Sequence, residues 1–198
     1  MSDTRLTLTP DPRFMNLAGA LENKLTAIAS SLTSSEVGAL LDNSMQQCLK
    51  YAFREAGADE GTVWIAEAES KSLVVAFNSG PDAGRMVGKF AQPLSEGLIS
   101  MVFANESPFM ENALEQDARQ DKTLDTLLGV KTLAMIAVPL NYLESCRGVV
   151  SCVLLGREGA TSHKKAFTEA DQARIQHATT VLGRLIDNSV LRTLVGLS

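Results

Sequence analysis

The side chains in this sequence best able to do chemistry are three thiols, two imidazoles and one run of carboxylates. Cys48, Cys146 and Cys152 form no CxxC pair, and three cysteines cannot all pair within one chain, so a reducing compartment suits them. His163 lies in the polar stretch Thr161-Ser162-His163-Lys164, and His177 falls in a helical stretch. Neither has a second ligand at short spacing, so no metal is expected. Glu111, Glu115, Asp117, Asp121 and Asp125 suggest paired carboxylates for acid/base work, but their polar surroundings read better as a solvated loop and helix face. There is no Ser-His-Asp order, phosphate loop or deaminase-type zinc motif. The expectation is a protein without catalytic residues, metal or cofactor.

The elements that must position these groups are bounded by composition. The 198 residues are 45% hydrophobic and 21% charged, with 18 Lys+Arg against 23 Asp+Glu. Such a length fits one domain with helical extensions, able to bury about 70% of its unfolded surface. The net charge of -5 argues against a nucleic-acid partner, because phosphate neutralisation by Lys and Arg dominates that affinity. The longest apolar runs, residues 133–140 and 148–156, fall short of the roughly 20 residues a bilayer requires. They read as buried strands. With no membrane span and no signal peptide after Met1-Ser2-Asp3-Thr4-Arg5, a cytoplasmic location is expected.

Residues 1–13, with Pro10 and Pro12, read as an extended arm. Leu17, Leu21, Leu25, Ile28 and Leu32 then recur every three or four residues and predict a helix over 14–32. Thr33-Ser34-Ser35-Glu36 has capping-box spacing and should open a second helix running to a stop at Gly57. The period changes to that of strands at 62–68 and 72–78, an expected hairpin, followed by a loop over 78–89. A short helix is expected over 95–104, an edge strand over 108–111, and a mixed polar segment over 112–129 with a helix around 122–128. Two nearly continuous apolar strands, 132–140 and 146–155, joined by residues 141–145, call for helices on both faces of their sheet. After a polar loop at 156–166, Thr168 should cap a long helix from 169 to about 194, with Asp171 near its positive end.

Three stretches in this order resemble a GAF domain, the small-molecule-sensing module of bacterial signalling proteins. They are residues 108–121 (PFMENALEQDARQD), the strand pair of 130–155 with Pro139-Leu140 and Gly148, and Phe167-Thr168-Glu169-Ala170-Asp171 leading to Leu185-Ile186-Asp187-Asn188. The resemblance spans about residues 40–191. It implies an α+β sandwich: a central antiparallel sheet of five or six strands, helices on both faces, and long terminal helices. Residues 33–198 would then be the GAF-like domain. It also implies a ligand pocket on one sheet face, roofed by 78–90, 95–104 and 111–128. The candidate pocket residues are Phe77, Leu98, Val102, Phe109, Glu111, Asn112, Arg119, Asp121 and Met135.

Within that family the cyclic-nucleotide signature is incomplete here. Phe167 and Asp171 fit, but Gln172 replaces the Glu and Asn23-Lys24 lies in the wrong helix. A methionine sulfoxide reductase would need a nucleophilic cysteine in the pocket, and the expected roof contains none. A tetrapyrrole photoreceptor would need a cysteine beside a histidine, which is missing too. The expectation is therefore a non-catalytic sensor or regulatory protein that binds a small molecule or a protein partner and passes its signal to a separate protein. A GAF-like scaffold without ligand is the alternative, and a thiol-dependent sulfoxide reductase stands third. The wide terminal stripes, including Leu17, Leu21, Leu25, Ile28, Leu182, Leu185 and Ile186, suggest a homodimer through the terminal helices.

Overall fold

The computed structural model describes residues 19–20, 23–28, 31–117, 119–156 and 166–194, and the chain divides into two units, Met1–Leu32 and Thr33–Ser198. In the first unit the described residues between 19 and 28 are helical, with Leu25 and Ile28 half-buried. The expected arm, Leu17, Leu21 and His163 lie outside the described residues.

The second unit opens on the capping box that its sequence spells. The Thr33 hydroxyl accepts from the Glu36 N–H at 3.2 Å and the Glu36 carboxylate accepts from the Thr33 N–H at 2.8 Å, starting α1 (Ser34–Leu40). The single helix expected up to Gly57 is instead two. Leu41 leaves helical backbone at ψ 86, and Asp42 caps α2 (Asn43–Glu55) by accepting from the Met45 N–H at 2.8 Å. Because Asp42 is exposed, the apolar period runs through the break undisturbed.

β1 (Glu60–Glu67) and β2 (Ser72–Asn78) form the expected hairpin. The expected loop after β2 contains a one-turn helix, α3 (Ala83–Met86), and leads to a short edge strand that the sequence did not announce, β3 (Ala91–Pro93). Next come α4 (Gly97–Asn105), β4 (Phe109–Glu111), a 3-10 turn (Leu114–Gln116) and α5 (Thr123–Leu128). The long strands β5 (Lys131–Tyr142) and β6 (Ser145–Gly156) precede α6 (Glu169–Leu194). All six strands join one antiparallel sheet in the order β3-β2-β1-β6-β5-β4.

Both faces are covered, as the apolar strands require. α1, α2 and α6 pack on one face, against β2, β1 and β5, while α3, α4 and α5 cover the other. α6 lies close on β5 because residue 183 is glycine: a Cβ there would collide with the Asn141 carbonyl oxygen. Ile175, Leu182, Ile186 and Val190 are buried along its length. Leu182 and Ile186, expected at a subunit interface, are therefore core residues of this chain. Apolar residues recurring every three or four positions cannot distinguish a helix stripe that faces its own sheet from one that faces a second chain.

The β5–β6 connection is shorter than the expected 141–145 link. It consists of Leu143 and Glu144, both at positive φ (47° and 64°), a turn that favours Asn-Gly. Asp187 on α6 holds it by accepting from the Leu143 N–H at 2.6 Å. Replacing Glu144 with glycine removes the left-handed strain, and thermal unfolding should show a gain of about 0.5–1 kcal/mol. A loss of stability would contradict this reading of the turn.

Candidate functional site

Pairing of β1, β6 and β5 brings rows of side chains onto the face away from α6. Glu60 pairs with Val153 and Thr62 with Ser151, while Met135 pairs with Val153. Period-two alternation along β1 and β6 therefore puts Glu60, Thr62 and Trp64 beside Ser151, Val153 and Leu155. A register shift between Thr132 and Ala134 lets Thr132 and Met135, three residues apart, share this face. These side chains form the floor of a cavity. Its roof is Phe90, Gln92, Gly97, Leu98 and Ile99 from the β3–α4 segment, and Gln120, Asp121, Leu124, Asp125, Leu128 and Val130 from the α5 region.

The cavity has a volume of about 70 Å³. That is room for only a few heavy atoms, since sites for drug-sized ligands run to about 300–1,000 Å³. Its walls are mixed. Trp64, 4% exposed, packs edge-on to Phe90 with ring centroids 6.0 Å apart and donates its indole N–H to Ser151 Oγ at 2.9 Å. Thr62 Oγ1 accepts from Asn78 Nδ2 at 3.0 Å. Gly97, at φ 79°, adopts left-handed backbone that favours glycine and admits the close approach of the Gln92 amide, which a Cβ would crowd.

Asp125 fastens the roof to the sheet. Its carboxylate accepts from the Thr132 N–H at 2.8 Å, the Thr132 hydroxyl at 2.6 Å and Gln120 Nε2 at 3.2 Å. No residue of α5 is fully buried, so these bonds carry much of its attachment. Asp125→Ala should cost about 2 kcal/mol and raise amide hydrogen exchange across 123–132. Unchanged exchange there would show that the helix is held by other contacts.

Three of the nine expected pocket residues, Leu98, Asp121 and Met135, line this cavity. Val102 and Phe109 pack in the adjoining apolar cluster. The other four are placed elsewhere. Phe77 is on the opposite face: a bulge after Val63 pairs Trp64 with Val75, so Phe77 sides with Val63. Asn112 is exposed and clamps the entry to α6, donating from Nδ2 to the Phe167 carbonyl at 3.0 Å and accepting from the Phe167 N–H at 2.8 Å. Glu111 accepts from the Asn112 and Ala113 N–H groups at 2.8 and 3.0 Å. Arg119 turns outward to a bidentate pair with Asp117 (3.0 and 2.6 Å) and stacks over Phe109.

The carboxylate run is thus mostly a set of backbone and side-chain staples rather than a simple solvated face. Hydrogen bonds from the Arg119 side chain and backbone hold the Asp117 carboxyl down to about 2. Its folded value is depressed, so the loop gains from this pair above about pH 4 and loses it as pH falls toward 2. An NMR carboxyl titration should place the Asp117 midpoint near 2, rising toward 4 in Arg119→Ala. A wild-type midpoint near 4 would refute the pairing. Asp121 is also held below the ordinary carboxylate range, by hydrogen bonds from the Thr123 hydroxyl and N–H.

None of the three cysteines lines the cavity. Cys48 is exposed on α2, Cys146 begins β6, and Cys152 lies with Gly61 and Ile136 on the face toward α6. Burial pushes the Cys146 thiol up and the Cys152 thiol up to about 12. Phe167 and Asp171 lie away from the cavity as well. Phe167 is buried, while Asp171 caps α6 with Thr168 and pairs with Arg174 at 3.0 Å.

Among the lining residues missed from the sequence, the polar Glu60, Thr62, Gln92, Thr132 and Ser151 are all buried. Their signal was available. Glu60 and Thr62 alternate with Gly61 and Val63 at the start of β1, and Ser151 is a lone polar residue within an apolar run, marks of a face that is covered yet polar.

No protein-family model matches the sequence, and no curated protein does. Solved structures do resemble the fold. The GAF domain/HD domain protein from Geobacter sulfurreducens aligns with a TM-score of 0.59 at 14% identity, over 80% of this chain and 96% of that one. The GAF domain of the Acinetobacter phosphoenolpyruvate-protein phosphotransferase aligns at 0.57 and 15%, over 92% and 99%. A free methionine-R-sulfoxide reductase from Neisseria meningitidis, solved with its substrate, aligns at 0.58 and 16%, over 94% and 97%. At these identities the likeness is one of fold, and the fold is that of GAF domains.

Proposed function

We propose that this GAF-fold chain is a non-catalytic sensor whose cavity between the sheet and the α4–α5 roof takes a small molecule. The observation that carries the reading is the cavity itself, enclosed by a sheet face and by short elements held to it by few bonds. Fold neighbours include GAF domains of a phosphotransferase and of a GAF/HD protein, which suits a regulatory module acting on a separate protein. A ligand shifts such a module by binding one roof position better than another. The cytoplasm is the compartment that suits three unpaired thiols.

The test is a thermal-shift screen of small metabolites against the wild type and against Leu98→Trp, which fills the cavity, with Met135→Phe as a second filled variant. A compound that stabilises the wild type and neither variant supports the reading. Stabilisation of all three would place binding elsewhere.

Assembly as a homodimer belongs to the same proposal. Among the described residues, α2 and α6 border an apolar groove lined by Met45, Tyr51, Ala52, Val181 and Leu185, with Tyr51 56% and Val181 39% exposed. Light scattering should return twice 21 kDa, falling to the monomer in Val181→Glu with Leu185→Glu. A wild-type monomer at micromolar concentration would remove the dimer.

Sulfoxide reduction is a second reading because a fold neighbour has that activity. The cysteine positions speak against it: the buried thiols are raised and none reaches the cavity. Thiol-dependent reduction of free methionine sulfoxide, lost in Cys152→Ser, would reverse this.

A further inference from the structure

A groove of about 500 Å³ borders the cavity of about 70 Å³, and its lining includes Lys122, Thr126, Lys131 and Gly156. Four residues belong to both linings, Gln120, Asp125, Val130 and Thr132, and they form the partition between the two spaces. All four meet at one of them. The Asp125 carboxylate accepts from Gln120 Nε2 at 3.2 Å and from the Thr132 N–H and hydroxyl at 2.8 and 2.6 Å, while the Asp125 carbonyl accepts from the Val130 N–H at 3.1 Å. A single carboxylate therefore fastens the α5 side of the partition to β5.

The two sides of the partition differ in how firmly they are held. α5 has six residues, none of them fully buried; Leu124 and Leu128 pack on the edge of the apolar cluster, and the bond from Arg85 Nη2 to the Leu127 carbonyl at 2.6 Å is exposed to water. An element with few buried contacts and exposed bonds opens at lower free energy than the core. Gly129, at φ 66°, joins α5 to β5 with nothing within 4 Å of where a Cβ would stand, so the chain can turn there without collision. Thr132, by contrast, is a buried residue of β5 paired with Leu155 of β6. One side can move and the other is fixed.

We infer that residues 120–130 are a door on the cavity, latched by the Asp125 carboxylate to Thr132, and that opening it joins cavity and groove into one site. The inference rests on the reading of the cavity as a ligand site and says how that site is reached. Closed, the cavity has room for only a few heavy atoms, whereas the joined space falls within the roughly 300–1,000 Å³ of sites for drug-sized ligands. Release of the latch also turns the Thr132 N–H and hydroxyl and the Gln120 amide into donors for a guest, which then takes the place of Asp125. The open and closed doors are the two roof positions between which a ligand discriminates.

Trp64, the one tryptophan of the chain, is buried on the cavity floor, so quenching of its fluorescence by acrylamide, a small neutral probe, reads access through the door. Asp125→Ala in the full chain should raise the quenching constant about threefold or more while the emission maximum stays at the wild-type wavelength. Thr132→Val, which removes the shortest latch bond, should raise it less but in the same sense, and it carries the test if Asp125→Ala does not fold. Adding Met135→Phe to either variant fills the cavity behind the door and should return quenching to the wild-type level. Arg119→Ala, which breaks the neighbouring pair with Asp117 and leaves the partition intact, should leave quenching unchanged. Latch variants quenched no more than wild type, a rise that Met135→Phe does not reverse, or an equal rise in Arg119→Ala would each overturn the door. The sensor reading fails separately. Latch-dependent quenching in a protein that no metabolite stabilises keeps the door and removes the sensor, whereas a metabolite bound in the cavity of a protein whose quenching ignores the latch removes the door alone.

Discussion

Gly183→Val should lift α6 off the sheet and lower stability by about 3 kcal/mol or more. A side chain at 183 collides with the Asn141 carbonyl, and main chain on both sides leaves no flexible end to yield. The loss would pass through α6 to the turn it supports, since Asp187 one helical turn on accepts from the Leu143 N–H. Thermal or denaturant unfolding measures it, with Gly84→Ala as control, because a Cβ at 84 meets nothing within 4 Å. Equal midpoints for the two variants would mean that α6 does not rest on β5 as described.

The second large effect is expected at Trp64. This side chain packs with Leu73, Val75, Ile99, Val102, Ala137 and Val149 and at the same time walls the cavity. Trp64→Ala should cost about 3–5 kcal/mol through lost contacts and the void left behind. It also leaves the Ser151 hydroxyl, 3% exposed, without its indole donor. Trp64→Phe should recover most of the packing and none of that hydrogen bond, so its loss should be less than half as large. A loss below about 1 kcal/mol in Trp64→Ala would show that the wall is not part of the core. As the one tryptophan in the chain, Trp64 also makes fluorescence a direct reporter of cavity occupancy.

How far the sequence led can be judged residue by residue. Signals confined to a few neighbouring positions were legible: the Thr33–Glu36 box, the Thr168–Asp171 cap and the two apolar strands appear where spacing put them. The sheet and its two helical layers followed from those strands. Features decided by distant partners were not legible. Phe77 has the composition of a pocket residue, but one extra residue in β2 moved it to the other face. Asn112 and Arg119 have the right polarity for ligand contact, yet Phe167 and Asp117 engage them first. The break at Asp42 left the apolar period intact, and β3 is too short for any period to show. Leu182 and Ile186 form a stripe whichever surface they meet. The cavity floor was the avoidable miss, because Glu60 and Thr62 alternate with Gly61 and Val63, and Ser151 stands alone in an apolar run.

The central claim, that the cavity between the sheet and the α4–α5 roof holds a small molecule, is tested most directly by native mass spectrometry of the purified protein beside Leu98→Trp. The wild-type subunit should exceed its sequence mass of 21.2 kDa by one small molecule that is released on denaturation, and the filled variant should not. Wild type and Leu98→Trp each at its own bare sequence mass, including after incubation with a metabolite extract, would contradict the account.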